Sequence, residues 1–94
     1  MPRVARRVIL LTLYSRPGCH LCDEMKTIVA RVARRIPLVI DEIDISSDSR
    51  LEALYGLEIP VLMIDGKKAA KYRVTEDALV RLLVGRAGEA GGAG

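Results

Sequence analysis

Between Val8 and Ile45 the hydrophobic period changes twice, and few folds accommodate that pattern in so short a chain. Val8-Ile9-Leu10-Leu11-Thr12-Leu13-Tyr14 is rich in β-branched residues and almost continuously apolar, as expected of a strand covered on both faces. It ends at Ser15-Arg16-Pro17-Gly18. From Cys19 onward the apolar residues recur at helical spacing, at Leu21, Met25, Ile28, Val29, Val32 and Ile36, with Glu24, Lys26, Arg31, Arg34 and Arg35 on other faces. That spacing predicts an amphipathic helix of about four turns, stopped near Pro37. Leu38 to Ile45 returns to a strand pattern, alternating in its second half. Strand, helix and strand in sequence imply a parallel pair joined by a right-handed crossover.

The remainder extends this unit. Ser46-Ser47-Asp48-Ser49 supplies helix-start chemistry, with Ser49 and Glu52 as a candidate capping box, and Leu51, Leu54 and Tyr55 form a short apolar stripe ended by Gly56. Ile59-Pro60-Val61-Leu62-Met63-Ile64 reads as a third strand, and Asp65-Gly66 is a strong hairpin signal. Lys67 to Tyr72 is then the returning strand, its lysines suiting a sheet edge. Thr75 is placed to cap a last helix, with Glu76 and Asp77 in its first turn, Leu79, Leu82 and Leu83 on its buried face and Gly85 beyond its end. The expected order is β-α-β-α-β-β-α in one domain over residues 1–85, with residues 86–94 a disordered tail.

Composition excludes several classes. With 94 residues the chain holds one core, and with no Phe or Trp that core must be aliphatic. The net charge of +3 is a mild excess, and three tyrosines are the only aromatics. Nucleic-acid binding, which calls for a concentrated basic face with stacking platforms, is therefore not expected. The basic residues before the first apolar run imitate a secretion signal, but the run is too short for a signal core or a membrane span and lacks a small-residue cleavage site. A cytoplasmic, monomeric protein with no membrane association is the expectation. In that compartment a lone cysteine pair points to catalysis or metal binding rather than a permanent crosslink.

Cys19, His20 and Cys22 fall within four positions. Structural zinc usually takes four ligands, and the chain has no second Cys/His pair, so no intrinsic metal site is expected. The position, after a Pro-Gly turn and at a helix start, suits a nucleophile. Unpaired N–H groups and the positive helix end favour a thiolate at Cys19. Cys22, within one turn, can attack the mixed disulfide that Cys19 forms, which makes it the resolving thiol. His20 has two open readings, a cation stabilising the Cys19 thiolate or a solvent-facing bystander. Arg16 likewise adds positive potential, meets an anionic substrate group, or is a solvated loop residue. Pro60 contradicts strand propensity unless its missing N–H faces away from the ladder. One solution is a cis Ile59-Pro60 bond that leaves the backbone of Ile59 free to pair with a bound strand.

With this order in view, the chain resembles the glutaredoxin branch of the thioredoxin-like superfamily. "LYSRPGCHLCDEM" resembles the glutaredoxin active-site segment and "EIPVLMIDGK" the cis-proline strand and hairpin; the chain is also similar to the small bacterial glutaredoxin-like proteins of the DUF836 type, which share this Cys-x-x-Cys followed by an acidic residue. The resemblance implies a thioredoxin-like α/β fold with four strands in spatial order 2-1-3-4 and helices on both faces. It further implies thiol-disulfide exchange, with Cys19 as nucleophile, Cys22 as resolver and Pro60 as the cis-proline; Arg16, His20, Ile59 and Thr75 are read with Pro60 as candidate substrate-binding residues around these cysteines. No resident cofactor is implied. The substrate would be a protein or small-molecule disulfide and the electron donor a reductase or glutathione.

Three departures bear on glutathione. His20-Leu21 replaces the family's Pro-Tyr, Glu58-Ile59 replaces Thr-Val before the proline, and Tyr72-Arg73-Val74-Thr75 stands where a Gly-Gly stretch precedes the last helix. Glu58 would set an anion near an anionic tripeptide, while Thr75 and the free N–H groups after it could still take a carboxylate. The expectation is a dithiol oxidoreductase that uses glutathione poorly. The alternatives are a glutathione-dependent glutaredoxin proper, or a module that binds a peptide or an iron-sulfur cluster in the same cleft without turnover.

Overall fold

The computed structural model describes residues 8–92. Its elements are β1 (Ile9–Ser15), α1 (His20–Ala33), β2 (Leu38–Asp44), a single 3-10 turn (Ile45–Ser47), α2 (Ser49–Tyr55), β3 (Val61–Ile64), β4 (Lys67–Lys71) and α3 (Glu76–Gly92). The four strands form one sheet in the order β2-β1-β3-β4, as expected. β1 runs parallel to β2, with Ile9 beside Leu38 and Ser15 beside Asp44. β3 runs antiparallel to β1 and to β4.

Strand alternation decides which face becomes the core. Ile9, Leu11 and Leu13 of β1 point to the same side as Leu62 and Ile64 of β3, and there they meet Met25, Val29 and Val32 of α1 and Leu79 and Leu83 of α3 in one buried cluster. Met25, Val29 and Val32 recur at the three- and four-residue steps that line one face of a helix. On the opposite face α2 packs through Tyr55, whose ring stacks on Tyr14 with centroids 4.6 Å apart. Helices thus cover both faces, although β1 is not buried on both along its whole length. Leu10 is 41% exposed and Val39 beside it 54%, because the short α2 reaches only the end of the sheet that carries Tyr14.

Local chemistry explains most element ends. The Asp65-Gly66 hairpin has positive φ at both central residues (49° and 86°), the conformation whose twist matches paired strands. Thr75 Oγ1 accepts the N–H of Ala78 at 3.0 Å and so starts α3. Two expectations are corrected. α2 is capped by Asp48, whose carboxylate accepts the N–H groups of Arg50 and Leu51, because Asp48 directly precedes the helix and the Glu52 carboxylate is taken by Arg16. The last helix also does not end at Gly85 but continues through Gly92. Residues 93–94 lie outside the described residues.

No helix among the described residues is long and apolar enough to cross a membrane.

Candidate active site

Topology gathers the candidate residues at one end of the sheet. β1 finishes at Ser15, the Arg16–Gly18 turn follows, and α1 starts beside it. β3 is antiparallel to β1 and β4 antiparallel to β3, so the entry to β3 at Ile59-Pro60 and the exit from β4 at Tyr72 come to that same end.

Cys19 is the N-cap of α1, extended at φ −90° and ψ 111°, and its Sγ accepts the N–H of Cys22 at 3.2 Å. Its own N–H closes the turn onto the Arg16 carbonyl at 3.3 Å, and its carbonyl accepts the N–H of Asp23 at 3.1 Å. Gly18 makes this geometry accessible with φ 79°, a conformation that a side chain disfavours. Cys19 and Cys22 are joined as a disulfide with Cα atoms 5.2 Å apart. Cys22 is fully buried at the head of the core stripe, whereas Cys19 is half-buried. In the reduced protein the amide aimed at Sγ and the unpaired N–H groups of the first turn favour a thiolate on Cys19. Limited alkylation of the reduced protein at neutral pH should therefore label Cys19 first, as mass spectrometry of the peptides will show; prior labelling of Cys22 would reverse the assignment.

The two basic neighbours are engaged elsewhere. Arg16 grips the Glu52 carboxylate through Nε, at 3.2 Å, and Nη2, tying the active-site turn to α2. Gly56 is part of that clamp, since a Cβ there would meet the Glu52 carbonyl oxygen at 2.5 Å and its Oε1 at 2.6 Å. Gly56→Ala should destabilise the fold by about 1–3 kcal/mol, the usual cost of overpacking, and loosen Arg16; an unchanged urea midpoint would show that this contact relaxes freely. His20 is 88% exposed and faces Glu24 one turn along α1, with Nε2 and Oε2 3.2 Å apart. Its ring lies on the solvent side of the helix.

The Ile59-Pro60 peptide bond is cis. Tyr14 pairs with Val61, which sets Pro60 beside the end of β1 from which the Cys19 turn departs. Among the described residues the N–H and C=O of Ile59 make no hydrogen bond, while the carbonyl of Pro60 accepts the N–H of Tyr72 at 2.9 Å. Thr75 stands at the start of α3, its Oγ1 already accepting the cap bond from Ala78.

Several residues at this end carried no sequence signal. Tyr72 adopts φ 69° in a tight turn closed by the Arg73 N–H on the Lys71 carbonyl at 2.8 Å, and its hydroxyl donates to the Leu57 carbonyl at 3.1 Å. A bulky residue in this region stores strain that surrounding contacts must hold, and here it replaces the Gly-Gly that the resemblance leads one to expect. Beneath α1, buried Ser15 donates from Oγ to Glu42 Oε2 at 3.0 Å, and the Lys26 ammonium meets the same oxygen at 2.9 Å.

Glu58, expected to repel an anionic ligand, is bridged to Lys68 at 2.6 Å. The hydrogen bond from Lys68 holds the Glu58 carboxyl below its ordinary value, and the reciprocal bond holds the Lys68 ammonium above its own. The bridge is therefore retained through neutrality. It is lost as pH falls through the lowered Glu58 value or rises through the raised Lys68 value. In an NMR titration Lys68→Ala should raise the Glu58 midpoint, and an unmoved midpoint would deny the pairing in solution. Among the described residues no three His, Cys, Asp or Glu side chains converge to hold a metal ion.

The chain is similar to known proteins. Residues 10–84 match the glutaredoxin-like domain family DUF836. A glutaredoxin-like protein of Dictyostelium discoideum, described as the YDR286C homolog, is 35% identical over 77 residues, spanning 76% of this chain and 71% of its own. Among solved structures, protein XcR50 of X. campestris is 34% identical with a TM-score of 0.69, over 80% of this chain and 96% of that one. Protein Ne2328 of Nitrosomonas europaea is 26% identical with a TM-score of 0.71, over 87% and 98%. A mutant thioredoxin of Halobacterium salinarum shares the fold at 24% identity and a TM-score of 0.61, over 82% and 73%. The cysteine pair at the start of α1, the four-stranded sheet behind it and a family match that spans nearly all of both lead to one conclusion: the chain belongs to the glutaredoxin-like DUF836 family.

Proposed function

We propose that the protein is a dithiol-disulfide oxidoreductase. The observation that carries this reading is the asymmetry of the pair, with a half-exposed Cys19 capping α1 and a fully buried Cys22 whose N–H points at Cys19 Sγ. In the reduced protein the Cys19 thiolate attacks one sulfur of a substrate disulfide. A Cys19–substrate disulfide forms, and the other substrate sulfur leaves as a thiolate that takes up a proton. Cys22, giving up its proton, then attacks Cys19 Sγ and expels the second substrate thiolate. The product is the Cys19–Cys22 disulfide, and two electrons have passed to the substrate. The free Ile59 backbone offers a donor and an acceptor to an extended substrate segment. A lone pair of redox cysteines fits a cytoplasmic setting, where an external donor regenerates the dithiol.

We assign that donor to a thioredoxin-type reductase rather than glutathione. Arg16 is committed to Glu52 and Thr75 Oγ1 to its helix cap, which removes two groups that would hold the tripeptide's carboxylates; losing one such hydrogen bond costs on the order of 1 kcal/mol, about fivefold in affinity. Given a mixed disulfide of glutathione with a small thiol, the purified protein should turn over faster with a reductase system than with glutathione. Faster glutathione-driven turnover would support a glutaredoxin proper, a reading favoured by the neutralisation of Glu58 by Lys68. Failure to reduce any disulfide would refute the oxidoreductase reading.

A further inference from the structure

Between α1 and α3 lies a groove of about 720 Å³, within the range of sites that hold a small ligand or a large side chain. It begins inside the cysteine motif at Leu21 and follows α1 past Met25 to Ile28. The seven steps from Leu21 to Ile28 correspond to about 10 Å along the helix. Across from them stand Ala78 and Leu82 of α3.

The groove exists because β4 and α3 present methyl groups where longer side chains would fill the space. The register shifts between Leu62 and Met63, whose partners on β4 are Ala70 and Lys68, so Ala69 is a bulged extra residue. A bulge breaks strict alternation, and here both Ala69 and Ala70 line the groove. The rim is nearly neutral: Arg73 lies 3.7 Å from Glu24 across the opening.

On the basis of the oxidoreductase reading above, we propose that this groove is the side-chain subsite for a peptide disulfide, taking a large aliphatic or aromatic residue two or three positions from the attacked cysteine. An extended peptide advances about 3.3–3.6 Å per residue, so two or three residues cover about 7–10 Å, the length available from Leu21 to Ile28. The groove's lining begins at Leu21, the residue that lies between the two cysteines in the chain. It is also joined to the Ile59-Pro60 edge through Tyr72, which lines the groove and bonds the Pro60 carbonyl. Glutathione has no apolar side chain to place there, and the paired rim offers an anion no net charge. A peptide with a leucine or phenylalanine near its cysteine matches both features.

The test uses short peptides in mixed disulfide with a small chromogenic thiol, carrying Leu or Ser two or three positions before or after the cysteine. With the full chain, kcat/KM for the better Leu peptide should exceed that of its Ser counterpart about tenfold or more, mainly through KM, the scale set by burying one leucine side chain. Ala78→Leu, which fills the groove, should bring the ratio close to one. Independently of turnover, a Leu peptide with serine in place of cysteine should shift the methyl NMR signals of Leu21, Ile28 and Leu82 in the wild-type protein. Equal kcat/KM for Leu and Ser peptides, or shifts confined to other methyls, would overturn the proposal. If no disulfide at all is exchanged, even a small symmetric one, the oxidoreductase reading fails and the methyl shifts alone decide the groove.

Discussion

Cys19→Ser will abolish disulfide attack, while Cys22→Ser will leave attack intact and stop at the next step. The contrast follows from position. Cys19 Sγ is the half-exposed atom that receives the Cys22 amide, so removing it leaves only a fully buried thiol with no access to a substrate sulfur. In Cys22→Ser the first exchange still occurs, but nothing within reach of Cys19 can expel the bound partner, and a Cys19–substrate mixed disulfide accumulates. Non-reducing electrophoresis and intact-mass measurement after mixing with a disulfide substrate will read this directly. The expected result is a stable adduct for Cys22→Ser and none for Cys19→Ser, with steady-state dithiol turnover lost in both. Equal residual turnover in the two variants would remove the dithiol mechanism.

Leu79→Ala will cost about 2–5 kcal/mol, the range for deleting a buried leucine side chain. Leu79 is fully buried in the cluster that joins α3 to α1 and the sheet, and the core holds no Phe or Trp, so stability rests on many aliphatic contacts of similar size. Against a typical total of about 5–15 kcal/mol, one such loss should lower the urea midpoint sharply. The adjacent Ala78→Leu changes the groove and not this cluster, which makes it a matched control. A shift for Leu79→Ala of less than about 1 kcal/mol would mean that α3 contributes little to the core.

Element order was legible from hydrophobic period alone. The change from strand to helix at Cys19 and back at Leu38, the Asp65-Gly66 hairpin and the Thr75 cap all depend on residues within a few positions of one another. Their signals therefore survive in one dimension. The same holds for the dithiol: Cys19 and Cys22 are three residues apart, and a helix start brings them together whatever the rest of the chain does. Boundaries were less secure where two local options competed. Asp48 displaced Ser49 as the α2 cap because the choice depended on where Glu52 went, and α3 ran past Gly85.

The surroundings of the dithiol were decided by tertiary structure, since they depend on residues distant in sequence. Arg16 read as a free cation; its partner Glu52 is 36 residues away and reaches it only because α2 packs beside the β1 end. Glu58 read as an anion facing the substrate; Lys68, ten residues on, neutralises it only after the hairpin folds β4 back. Tyr72 read as the last residue of a strand, and its positive φ arises from the turn that sets its N–H on Pro60. The chain's own residues determine the element order, the aliphatic core and a cysteine at a helix start, because periodicity and capping are short-range. The approach of Glu52, Lys68 and the α1–α3 groove to that cysteine depends on packing at long range, where a charge or an alanine acquires its meaning only from what is folded against it.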